Sequence, residues 1–251
     1  MTIYITSVRQ YQQSLTSAAQ DARNLARALQ DAVTSARSHR DPLLSEEGIR
    51  AKRQELESAA RAQAAPAVTG MRERLATTRK TISTYARENT QIADTPQALI
   101  RAEQKWRQVE SILNAGGDLH HAIRNADFDT TVAIAEFAPS WVEANTARPR
   151  DLQSTIGREL AGTETDRFAV VRNALYARMA ETTTDPQLAE LLHAEAAADA
   201  QIAAAEPWLA AAASLVETGG ADMLGAALAS QMSSVPSEAL STSTGAESAA
   251  A

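Results

Sequence analysis

No cysteine occurs in this sequence, which excludes disulfide scaffolds, thiolate zinc sites and thiol catalysis, and a reducing cytosol suits such a chain. Aromatic residues are scarce as well: three tryptophans, four tyrosines and three phenylalanines among 251 residues. With alanine supplying much of the 44% apolar content, the composition points to helices packed through small side chains rather than to a sheet. Long apolar runs are missing, since no stretch approaches the roughly 18 residues of a membrane span. The opening MTIYITSVRQYQQSL has no basic segment followed by an apolar core, so the expectation is a soluble, unprocessed, cytoplasmic chain. The ten glycines are scattered and form neither a dinucleotide fingerprint nor a phosphate-binding loop, so no nucleotide cofactor is expected.

Positive charge is absent from one end. Residues 1–100 carry 14 Lys and Arg against 10 Asp and Glu, residues 101–150 carry 6 against 7, and residues 151–251 carry 4 against 14. Arg178 is the last cation of the chain. An acidic end repels nucleic acid and anionic membrane, so neither is expected as a partner. The basic amino-terminal half is instead free to meet an acidic surface, its own carboxy-terminal half included.

What is present is helical periodicity. Val8, Tyr11, Leu15, Ala18, Ala22, Leu25, Leu29, Ala32 and Ala36 alternate steps of three and four, the signature of a coiled-coil-like seam on a helix from about Ser7 to Ser38. Pro42 ends that helix, and Ser45 before Glu46 and Glu47 is an N-cap followed by carboxylates where the helix dipole favours them. A second stripe follows through Ile49, Leu56, Ala60, Ala64, Ala67, Met71, Leu75, Thr78, Ile82, Tyr85 and Ile92, close to an eleven-residue repeat. SHRDPLLSEEG therefore reads as the turn of an antiparallel hairpin, with a kink near Pro66.

Beyond it, Asp94 or Thr95 caps a helix with Pro96 in its first turn, which Gly116 and Gly117 stop, with Leu99, Ala102, Trp106, Val109 and Leu113 inward. Asp118 to Arg124 and Phe128 to Phe137 read as short helices, the second broken by Pro139. Further helices are expected over Arg150–Ala161, Glu164–Glu181 and Pro186 to about Glu217, the last bent at Pro207. The fold class is thus all-α: a hairpin over 1–94, a compact multi-helix domain over 95–218, and a flexible acidic Ser/Ala-rich tail over 219–251. In that tail Met223, Leu224, Leu228 and Met232 lie on a weak amphipathic piece that suits a docking peptide.

Chemistry-bearing patterns are thin. Glu190 and His193 have the spacing of a helical metal ligand pair, and Asp118 with His121 is a near match, but a di-metal bundle needs two full copies and two more inward glutamates. No metal, cofactor or catalytic residue is therefore expected, and a helical-bundle metal binder or enzyme stands as the alternative. Phe128, Phe137 and Trp141 concentrate the aromatics and mark the best candidate for a pocket or docking surface. Arg72, Arg74, Arg79 and Lys80 form the densest basic run and mark a second candidate contact.

The stretches DPLLSEEGIRAKRQELESAARAQAAPAVTGMRERL and HHAIRNADFDTTVAIAEFAPSWV resemble the uncharacterised Ala- and Arg-rich helical proteins of actinobacterial tailed phages, over roughly residues 40–145. The resemblance implies virion morphogenesis, scaffold-like or as an accessory head or tail component, located in the host cytoplasm or the virion. The acidic end departs from scaffolding proteins, which commonly finish in a basic helix. The expectation is a non-enzymatic assembly protein that binds a protein partner or itself and no small-molecule substrate, with a bacterial coiled-coil adaptor as a further alternative.

Overall fold

The structure, a computed structural model, describes residues 2–146 and 169–233, and every regular element among them is an α-helix. In chain order these are α1 (Thr2–Ser38), α2 (Glu46–Thr90), α3 (Pro96–Asn114), α4 (Leu119–Arg124), α5 (Phe128–Thr146), α6 (Ala169–Thr182), α7 (Pro186–Thr218) and α8 (Met223–Ser233). The helix expected over Arg150–Ala161, the start at Glu164 of the one after it, and residues 234–251 of the tail lie outside the described residues.

Local chemistry sets the boundaries. At the hairpin turn Asp41 accepts from the Leu43 amide, and Ser45 Oγ accepts from Gly48 N at 3.2 Å to start α2. Thr95 Oγ1 caps α3 through Ala98 N at 3.3 Å with Pro96 in the first turn, and Asp118 caps α4 through His120 N. Gly116 closes α3 at φ 90°, where a side chain would be strained. The internal prolines do not end their helices: α2 continues through Pro66, α5 through Pro139 and α7 through Pro207. Each proline removes one backbone donor, which a helix packed along its length tolerates.

Contacts group the chain into two units, Met1–Arg9 with Lys80–Ala197 and Gln10–Arg79 with Ala198–Ala251. In the second unit the seam of α1 differs from the expected one. Leu15, Ala18, Ala22, Ala26, Leu29, Val33 and Ala36 are buried, whereas Leu25 is half-buried and Ala32 exposed. The buried positions step three, four, four, three, four and three, so Leu15, Ala22, Leu29 and Ala36 keep a seven-residue spacing while Ala26 and Val33 take the places expected for Leu25 and Ala32 between them. In α2 the same adjustment buries Val68 in place of Ala67.

Polar contacts join the arms, as Arg37 donates to both carboxylate oxygens of Glu57 (2.9 and 2.7 Å) and Arg53 Nε reaches the His39 carbonyl. These bonds from Arg37 hold the Glu57 carboxyl below the usual carboxylate range. Helix α7 then lies antiparallel to α2: Arg72 meets Glu206 at 2.9 Å, Arg79 meets Asp199 at 2.7 Å, and Arg61 Nε bonds the Val216 carbonyl at 2.7 Å. Arg23 stands over the Trp208 ring, 5.5 Å from its centroid. Leu29, Val33 and Leu215 form a buried cluster against which Ala64, Val216, Ala221 and Met223 pack. Alanines 198, 204, 205, 211 and 212 are all buried, so α7 is small and apolar on several sides, as a helix enclosed by neighbours must be.

In the first unit α3 packs on α5, α5 on α6, and α4 on α6. Trp106, Val109, Leu113, Leu119, Ile123, Ile134, Val142, Val171 and Leu175 build its core, each such side chain contributing about 1.5–3 kcal/mol of burial. Leu99, expected inward, is 47% exposed. Arg9 donates twice to Glu190, at 3.1 and 3.0 Å, and holds that carboxyl below its ordinary range.

Candidate functional site

The core of the first unit opens into a groove of about 480 Å³ between α3 and α5. Trp106, Glu110 and Asn114 recur every four residues along α3, which puts them in one row. Phe137, Ser140, Trp141 and Ala144 form the facing wall on α5. Trp106 is buried and forms the floor; Phe137, Trp141 and Glu110 are half-buried; Asn114, Ser140 and Ala144 are exposed at the rim. The Trp106 and Phe137 rings are tilted by 32° with centroids 6.3 Å apart, inside the range of attractive aromatic pairs. Glu110 is the one charged side chain among the seven lining residues, and among the described residues it makes no ion pair. The charges around it on α3 are engaged, Arg107 with Glu103 and Lys105 with Asp127.

Phe128 stands apart from the other two aromatics, at the amino-terminal end of α5. It lines a second hollow, of about 320 Å³, with Ile92, Ala98, Arg101, Lys105 and Asp129 among its walls. Asp127 sits beside this hollow, accepting from Lys105 Nζ at 2.8 Å and from the Thr130 amide at 2.8 Å, the latter capping α5. The lysine first, and then Thr130, depress its pKa to about 2.

The basic run is turned largely on the chain itself. Arg72 and Arg79 pair with Glu206 and Asp199, Arg74 Nε bonds the Gly70 carbonyl of its own helix at 3.3 Å, and Lys80 is exposed. Of the residues weighed as metal ligands, Glu190 is occupied by Arg9 and Asp118 by its capping bond, while His193 and His121 are exposed. Among the described residues no group of three or more His, Asp or Glu side chains converges to hold a metal ion. No helix among them is long and apolar enough to cross a membrane.

Of the tail expected over 219–251, residues 223–233 form α8. Gly219 turns the chain at φ 73°, Ala226 is buried, and Ser230 Oγ donates to the Ala204 carbonyl at 2.6 Å, which fixes one face of α8. The other face carries Leu224, Leu228 and Met232, four residues apart and 73%, 56% and 78% exposed. No charged residue occurs in α8.

Comparison with family models, curated proteins and solved structures finds no match to this chain. Sequence reasoning singled out Phe137 and Trp141 but missed Glu110, Asn114 and Ser140 as their neighbours. The four-residue row that starts at Trp106 was the signal that points to the first two.

Proposed function

We propose that this protein is a non-enzymatic assembly component that works through protein–protein contacts, with α8 as its docking helix. The observation that carries the reading is the apolar face of α8, held outward by the Ser230 bond and the buried Ala226 on its opposite face. Large apolar side chains contiguous on a surface mark interaction sites in soluble proteins, and an i, i+4, i+8 row is the pattern by which a helix enters a partner's groove. Arg72 and Arg79 are satisfied by Glu206 and Asp199, which leaves apolar docking as the stronger driving force and charge as a minor one. The resemblance over residues 40–145 supplies a setting, virion morphogenesis in a tailed phage, with the protein in the host cytoplasm or the particle.

The test is to follow the protein through a density gradient of lysate from its natural producing cells, alongside the L224S/L228S/M232S variant. Co-banding of the natural protein with assembled particles or head or tail intermediates, lost in the variant at unchanged helicity, supports the reading. Natural protein that stays at the top of the gradient throughout overturns it.

A further inference from the structure

We infer that the groove between α3 and α5 receives a lysine or arginine side chain displayed by a protein partner. The inference rests on the reading that the chain works through protein contacts, but on a different surface from α8. Its walls combine three aromatic rings, Trp106, Phe137 and Trp141, with one carboxylate, Glu110, and among the described residues contain no basic side chain. A cation is attracted by aromatic faces and gains more as it is desolvated, and indole is the strongest of the aromatic hosts. A neutral apolar guest would cover Glu110 and leave a carboxylate without water or partner, which is costly. A cationic guest supplies that partner, and Asn114 and Ser140 at the rim provide oxygen acceptors for the remaining N–H groups. An anionic guest meets Glu110 and aromatic faces, both repulsive.

The geometry favours a side chain on a protein over a free small amine. The groove is a trough along two helices, with Asn114, Ser140 and Ala144 exposed along its rim, so it engages backbone beyond the cationic tip. The net charge of −7 draws basic partners towards the molecule.

The experiment titrates the full chain carrying W208F, so that the remaining indoles, Trp106 and Trp141, report on the groove. The probes, at constant ionic strength, are Ac-Gly-Lys-Gly-NH2, Ac-Gly-Arg-Gly-NH2, the uncharged norleucine counterpart Ac-Gly-Nle-Gly-NH2, and tetramethylammonium chloride. The expected result is saturable binding of the lysine or arginine peptide, about 5- to 30-fold tighter than the norleucine peptide. E110Q, which preserves shape and hydrogen bonding, should remove most of that difference, with helicity checked by circular dichroism. Equal affinity for the norleucine peptide, or no binding by either basic peptide, overturns the inference. Tightest binding by tetramethylammonium overturns it in favour of a free organic cation. The gradient experiment on α8 leaves Glu110 untouched, so the two readings fail separately.

Discussion

Arg79 Nε lies 2.7 Å from Asp199 Oδ1, 120 positions further along the chain. Seven residues earlier on α2, Arg72 meets Glu206, seven residues later on α7, so the two pairs fix one antiparallel register. The Arg79 side chain is only 19% exposed and Asp199 48%, so this pair is better shielded from solvent than Arg72–Glu206 at 43% and 54%. A double-mutant cycle with R79A and D199A should return a coupling of about 0.5–1 kcal/mol in chemical denaturation, and the R72A/E206A cycle about half of that or less. Zero coupling at both pairs would mean that the register is set by apolar packing alone.

The Asp127 carboxyl has an acid signature. Its pKa is about 2 in the folded chain against an ordinary 3.8, so the folded state binds this proton less readily than the unfolded one. Its contribution is fully present above the unfolded value and is lost as pH falls from about 4 through about 2. D127N should therefore flatten part of the stability loss over that interval while lowering stability at pH 7. An NMR titration that places the Asp127 carboxyl at or above 3.8 would contradict the assigned Lys105 and Thr130 bonds.

Two glycines should respond oppositely to alanine. Gly70 lies within α2 with open space where a Cβ would stand, so G70A should stabilise by about 0.5–1 kcal/mol through helix propensity. Gly219 adopts φ 73°, and a Cβ there would collide with the Glu57 and Arg37 side chains that pair with each other. G219A should cost about 1–2 kcal/mol from the left-handed backbone, with further loss as the ion pair is displaced. Equal shifts in melting temperature for the two variants would show that this turn is not formed.

The buried seam of α1 makes adjacent positions unequal. Val33 is fully buried and Ala32 exposed, so V33A should destabilise by about 1–2 kcal/mol and A32S by less than about 0.5 kcal/mol. The reverse order would put Ala32 rather than Val33 in the seam.

That seam also shows how far the sequence could be read. In α1 both Ala32 and Val33 are apolar, as are Leu25 and Ala26, so either member of each pair fits the seam that Leu15, Ala22, Leu29 and Ala36 define. Only packing against neighbours chooses between them. Helix ends were legible because their chemistry is local: Ser45, Thr95 and Asp118 cap within three residues. Pro139 misled because a proline's missing donor is visible in sequence and the packing that tolerates it is not. The contact of α7 with α2 showed only as an asymmetry of charge, since the partners of Arg72 and Arg79 lie more than a hundred residues away. Phe137 and Trp141 stood out by rarity, whereas Glu110 looked like any solvated helix carboxylate until α5 was placed opposite it.

The division of the chain into Met1–Arg9 with Lys80–Ala197 and Gln10–Arg79 with Ala198–Ala251 bears on how the protein is made. Neither unit is contiguous, so neither can close while the ribosome is still short of α7. The hairpin of α1 and α2 must wait for residues 80–197 to be synthesised before Leu215 and Trp208 arrive, about 6–24 s at roughly 5–20 residues per second. During that interval the Leu29–Val33 face has no α7 to cover it. The nascent chain should therefore be a substrate for chaperones that hold exposed apolar helices, and protease protection of Val33 should appear only once residues beyond about 215 have left the exit tunnel.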